Sequence, residues 1–243
     1  MTRNPSAAAE LHTDVASWSA GVPSLRIPDG SLEVLKWFGV VLMVLDHVNK
    51  FLYAGKLPFL FELGRLAVPI FGFVLAHNLA RPGALSRGVH VRMMWKLLGF
   101  GVVASFPFAI MIGWWWPLNI LFMLLLVVAI VYLIEAGDKA GVAVAVVLFF
   151  VGGALVEFWW FGVASCLAAW AYCLKPTKLR LALWVLATLS LTVINRNLWA
   201  LAAFPIIFAA PHIALTLPRL RWAFYTVYPL HLLLLLLVQK VRI

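Results

Sequence analysis

Charge is scarce in this chain. Only 12% of its 243 residues are Asp, Glu, Lys or Arg, while 65% are hydrophobic and the mean hydropathy is +1.01. A soluble domain of this length lacks the interior to hide so much apolar surface, which leaves a polytopic integral membrane protein. The ten-residue alternation of barrel strands is also missing. The apolar runs are near-continuous, so the expected fold is an all-α membrane helix bundle. Acidic residues are the scarcest charge, 9 against 19 basic, giving a net charge of +10. The basic residues fall mostly between apolar runs and are read as topology signals, not as a nucleic-acid surface. Cysteine is limited to Cys166 and Cys173 in one predicted span, too far apart along it for a disulfide and without the neighbours a metal site needs. No internal repeat is visible, which disfavours an inverted-repeat transporter. Residues 1–33 lack an apolar h-region, so they read as a flexible cytoplasmic tail and not a signal peptide. Residues 34–243 read as a single transmembrane domain, with Ser31 as N-cap of its first helix.

What is present is a series of apolar runs punctuated by basic and by tryptophan-rich turns. Nine spans are predicted, at about 34–54, 58–79, 93–112, 118–134, 140–156, 160–174, 181–194, 198–216 and 222–239. An eight-span arrangement with a re-entrant piece is the alternative. Pro205 and Pro211 predict a bent or broken eighth span. The most basic connection carries Arg81, Arg87, Arg92 and Lys96, which places it and the N-terminus in the cytoplasm. Trp114-Trp115-Trp116-Pro117 and Glu157-Phe158-Trp159-Trp160 then fall together at the outer interface. With this topology the cytoplasmic segments hold 13 of the 19 Lys and Arg.

Against that background the polar residues within spans stand out, because an ionisable group at membrane depth points to function. The first span carries Asp46, His47, Asn49 and Lys50 near its outer end. The second, antiparallel and joined by a short turn, carries Glu62 and Arg65. Helical spacing pairs Asp46 with Lys50 and Glu62 with Arg65, which would neutralise each on its own helix. His47 has no partner in step and is the candidate general base. His231 lies deep in the last span, one turn from Tyr228, and Asn119 opens the fourth span as a cap or as cavity lining. His77 sits at the inner end of the second span; His12, His90 and His212 rank lower.

At these residues the chain resembles the TraX family, membrane proteins associated with acetylation of conjugative pilin. The resemblance lies in LKWFGVVLMVLDHVNKFL around Asp46-His47, in GRLAVPIFGFVLA from Gly64 to Ala76, and more weakly in NILFML from Asn119. Val68 stands where the family usually has an aromatic. Within the wider transmembrane acyltransferase group, an intramembrane histidine near the outer end of an early span is catalytic, and His47 matches that position. Tyr228-Pro229-Leu230-His231 is similar to a late-helix motif of some of these enzymes.

The resemblance implies a cross-membrane acetyltransferase in a bacterial inner membrane. Acetyl-CoA as co-substrate would dock on Arg81, Arg87, Arg92, Lys96 and His77. His47 would act as base, oriented by Asp46 or Asn49, with Arg65 facing the developing oxyanion. The acceptor, a pilin amine or an envelope glycan hydroxyl, would enter past Asn49, Glu62, Asn119, Tyr228 and His231. The rival readings are a proton-coupled transporter and a non-catalytic membrane scaffold.

Overall fold

A computed structural model of the chain describes residues 21–25, 27–213, 220 and 222–241. Most of the expected tail, His12, and the basic residues Arg219, Arg221 and Arg242 lie outside the described residues. Among the described residues, all regular structure is helical apart from one isolated bridge between Leu118 and Val156.

The first helix, α1, runs Asp29–Leu52. It starts earlier than expected: Pro28 closes the preceding extended segment and Asp29 places an acid in the first turn, where the helix dipole favours it. Ser31 therefore lies inside the helix and caps nothing; its hydroxyl donates to the Ile213 carbonyl. The expected second span is two helices, α2 (Pro58–Gly64) and α3 (Ala67–Leu79), separated by a turn at Arg65 and Leu66. Pro58 at the first position suits a helix start, since its missing N–H would have no acceptor there.

α4 (Val89–Ile112) is bounded by Gly88 and Gly113, whose φ of +65° and +76° only glycine adopts cheaply. It begins before the expected boundary, so Arg92 and Lys96 belong to the helix and not to a loop. α5 (Ile120–Ala136) is capped by the Asn119 side chain, which accepts from the Leu121 N–H. α6 (Lys139–Val147) continues as a π turn, Leu148–Gly152. α7 (Trp159–Leu174) and α8 (Lys178–Leu189) follow, the latter capped by Thr177. After α9 (Thr192–Asn195), the stretch with Pro205 and Pro211 breaks as expected into a 3-10 turn, α10 (Ala203–Ala209) and a second 3-10 turn. The last helix, α11, is Ala223–Val241.

Four segments among the described residues, 58–79, 89–112, 178–195 and 223–241, are long and apolar enough to cross a membrane. The remaining apolar segments, 120–136, 139–152, 159–174 and 199–212, are shorter. α1, with 24 residues, is long enough at about 1.5 Å per residue, but Lys36, Asp46 and Lys50 set it apart from a lipid-exposed span. It packs against α2, α3 and α11 instead. At the centre of the bundle, α3 buries Ile70, Phe73 and Ala76 completely. Gly72 lets it approach α7, since a Cβ there would sit 2.6 Å from the Cys166 sulfur.

The bundle has two distinct ends. The two tryptophan turns meet at one of them: the Trp116 indole donates to the Ala154 carbonyl (3.0 Å), and Leu118 exchanges bonds with Leu155 and Glu157 (2.8 and 2.9 Å). The Arg81–Lys96 stretch lies at the other.

Candidate functional site

Each end of the bundle holds a cavity. The one at the tryptophan end measures about 960 Å³ and is lined by Asp46, His47, Lys50, Arg65, Glu157 and Tyr228, with Trp116, Phe158 and Trp159 around them. The one at the basic end measures about 520 Å³ and is lined by Lys36, Arg81, Arg87, Arg92 and Lys96. Little separates them. Along α1 the lining passes from Lys36 to Met43, along α3 from Phe71 to Val68, and along α11 from Tyr225 to Tyr228. At 1.5 Å per residue these steps span about 4–10 Å. The partition contains an edge-on contact of Phe71 and Phe224 (5.3 Å between centroids), with Gly39 pressed against the Phe71 ring.

His47 lies one helical turn beyond Met43, on the tryptophan side of this boundary, bonded to His231. Its Nδ1 lies 2.7 Å from His231 Nε2, and His231 Nδ1 lies 3.0 Å from the Val227 carbonyl. The carbonyl oxygen only accepts, so His231 Nδ1 carries a hydrogen. In the neutral ring its Nε2 is then an acceptor, and the hydrogen of the pair sits on His47 Nδ1. His47 Nε2 is left with an exposed lone pair. The orienting partner is thus His231, 184 residues away in sequence, and not Asp46 or Asn49. Pro229, within α11, adds no N–H of its own to this turn.

Asp46 is engaged elsewhere. Arg65 donates to it, and neither expected same-helix pair forms. The turn at Arg65 and Leu66 ends α2 there, which aims the guanidinium across at α1 instead of back along its own helix at Glu62. Arg65 also donates to the Phe61 carbonyl (3.0 Å), reaches Asn195 (3.4 Å) and lies over the Phe61 ring (4.2 Å). Lys50 lies over Phe51 at 5.1 Å. Gly64 makes the Asp46 contact sterically feasible, because a Cβ there would come within 2.4 Å of the Asp46 Cβ. Gly64→Ala is therefore expected to push α2 off α1 and cost about 1–3 kcal/mol. Thermal unfolding of the variant in detergent checks it; an unchanged midpoint would contradict the packing.

The other expected site residues divide. Arg81, Arg87, Arg92 and Lys96 share the basic cavity, whereas His77 does not line it and rests against Phe73. Arg81 is held by Asp29, and Lys96 lies over Trp222 and Tyr225. Asn49 lines the outer cavity but is spent on the following turn, accepting from the Leu57 N–H. Asn119 is wholly buried as cap and brace, bonding Gly101 and Ser105. Neither Asn119 nor Glu62 lines the cavity.

Three residues were not readable as site groups from the sequence: Lys36 in the basic cavity, Asn195 behind Arg65, and Glu157. Glu157 sits in the connection before α7, followed by two residues with left-handed backbone, Phe158 (φ +61°) and Trp159 (φ +48°). Such neighbours cost energy and are held only by surrounding structure, here the Leu118 bonds. Burial pushes the Glu157 carboxyl up to about 7, with Lys50 and the Ile120 N–H opposing the rise. As the acid of a tryptophan-rich turn it was visible in the sequence, but nothing there placed it in the cavity that His47 lines.

Fold and site together define a membrane helix bundle with a basic cavity at one end and, at the other, an aromatic cavity lined by a histidine that is bonded to a second histidine of the last helix. The TraX protein family model matches residues 31–239, and the chain belongs to the TraX family. Two relatives bear the name Protein TraX. One, from Escherichia coli, is 31% identical over 156 residues, covering 63% of this chain and 58% of the relative. The other, from Escherichia coli strain K12, is 33% identical over 123 residues, covering 50% and 44%. The matched region thus spans about half the length of these relatives. No solved structure matches the chain.

Proposed function

We propose that this chain is a cross-membrane acetyltransferase of a bacterial inner membrane, with the basic end in the cytoplasm and nine traverses making one domain. The observation that carries this reading is the position of His47 in the aromatic cavity, its tautomer fixed by His231, with a thin partition between that cavity and the basic one. A base held there is within reach of a thioester from one end and of a nucleophile from the other.

In this reading Arg87, Arg92 and Lys96 meet the phosphates of acetyl-CoA, which guanidinium forks and ammonium groups suit, while Lys36 is paired with Glu33. The pantetheine arm passes the Phe71–Phe224 contact. His47 Nε2 removes the proton of an acceptor amine or hydroxyl as that atom bonds to the acetyl carbon. The carbon–sulfur bond then breaks, and His47 returns the proton to the departing thiolate. An acetyl-histidine route uses the same lone pair as nucleophile. Arg65 and Asp46 neutralise one another and lock α1 to α2. The acceptor, a pilin amine or a glycan hydroxyl, enters past the ring of Trp116, Phe158 and Trp159.

Incubating the purified protein with isotope-labelled acetyl-CoA and a peptide bearing a free amino terminus, or a glycan, tests the reaction by mass spectrometry. Label on neither acceptor would set this reading aside, and flux of a solute without acetyl-CoA would favour a transporter. The docking site has its own check. Arg92→Glu is expected to weaken acetyl-CoA binding about tenfold or more in isothermal titration, because it reverses one charge among several on a polyanion. Unchanged affinity would remove the basic cavity from the mechanism.

A further inference from the structure

The sequence offered Arg65 for the oxyanion, but Arg65 is tied to Asp46, Phe61 and Asn195. Another donor faces the reaction centre. Tyr228 is 2% exposed, and its buried hydroxyl donates to no acceptor among the described residues. It lines the same cavity as His47. Its ring is edge-on to both histidines, 6.5 Å from His47 and 5.3 Å from His231. A buried hydroxyl is ordinarily paired, so an orphan at this spot marks a place for a ligand atom. The wall beside it is the start of α5. There the Ile120 N–H has no acceptor within its own helix and lies alongside the Tyr228 hydroxyl, so the helix terminus adds positive potential. The Glu157 carboxyl shares that N–H and its charge also acts on Tyr228, with Lys50 the main offset since Arg65 is paired with Asp46.

We propose that Tyr228, not Arg65, donates the hydrogen bond to the carbonyl oxygen of the acetyl group in transfer. The assignment rests on the acetyltransferase reading and adds a catalytic residue to it. As the acceptor atom bonds to the carbonyl carbon, the carbonyl electron pair moves onto oxygen, where the Tyr228 hydroxyl meets it. When the carbon–sulfur bond breaks, that pair re-forms the carbonyl. Tyr228 keeps its proton throughout, and His47 carries the proton from acceptor to thiolate.

Tyr228→Phe tests this with little disturbance, because the hydroxyl it removes donates to no acceptor among the described residues. With the full chain in detergent, acetyl-CoA and a peptide amine, kcat is expected to fall at least about 10²-fold with KM for acetyl-CoA unchanged. The unfolding midpoint should stay level or rise. A kcat near wild type, or a loss confined to KM, would overturn the assignment. Wild-type protein and His47→Ala run alongside separate the two levels. Transfer by wild type that depends on His47 but not on the Tyr228 hydroxyl sinks this proposal alone. No transfer by wild type sinks the acetyltransferase reading, and this one with it.

Discussion

His47→Ala is expected to lower the rate of acetyl transfer by about 10³-fold while leaving acetyl-CoA affinity near wild type. The split follows from place. His47 lines the aromatic cavity, and none of its contacts reaches the cations of the basic one. Removing its ring deletes the group that takes the acceptor's proton and leaves the phosphate contacts alone. Single-turnover transfer from labelled acetyl-CoA, with titration of acetyl-CoA in parallel, measures both. Undiminished turnover in a folded variant would remove the histidine from the chemistry.

His231→Ala is expected to cost about 10²-fold. His231 touches no reacting atom in the proposed mechanism. It acts by accepting from His47 Nδ1, which keeps the lone pair on Nε2 and supports the ring when that nitrogen gains a proton. Loss of an orienting acceptor is severe in such pairs, because the free imidazole adopts the wrong tautomer or turns away. A purely structural role for His231 predicts something different: lost stability with no selective loss of turnover. His231→Gln separates the two, because its side-chain carbonyl can accept the same hydrogen bond and should recover part of the lost rate. Equal defects in the Ala and Gln variants would argue against the orienting role.

Much of the architecture was legible in the sequence because hydropathy and helix punctuation are local. The apolar runs fall where the helices are, and Pro205 and Pro211 break the chain where expected. Segment length was less legible: among the described residues, four segments have the length and composition of a span. The basic residues from Arg81 to Lys96 could be grouped because they are neighbours in sequence.

The pairing of polar groups was not legible, since i, i+4 reasoning sees one helix at a time. It offered Glu62 to Arg65 and Lys50 to Asp46. The turn at Arg65 and the bare surface of Gly64 instead bring Arg65 to Asp46. His231 was visible as a buried histidine, but the bond that gives it a role joins the first helix to the last. Glu157 needed the contact between two tryptophan turns, which composition does not reveal.

The central claim is that one imidazole serves two compartments, and vectorial transfer tests it most directly. Full-length protein is placed in vesicles of known orientation, with labelled acetyl-CoA sealed on the side of the basic cavity. A peptide with a free amino terminus, or a glycan, is added only on the other. The account predicts label on an acceptor across the membrane with wild-type protein and none with His47→Ala. Label appearing only when donor and acceptor share a compartment, or appearing equally with His47→Ala, would contradict it.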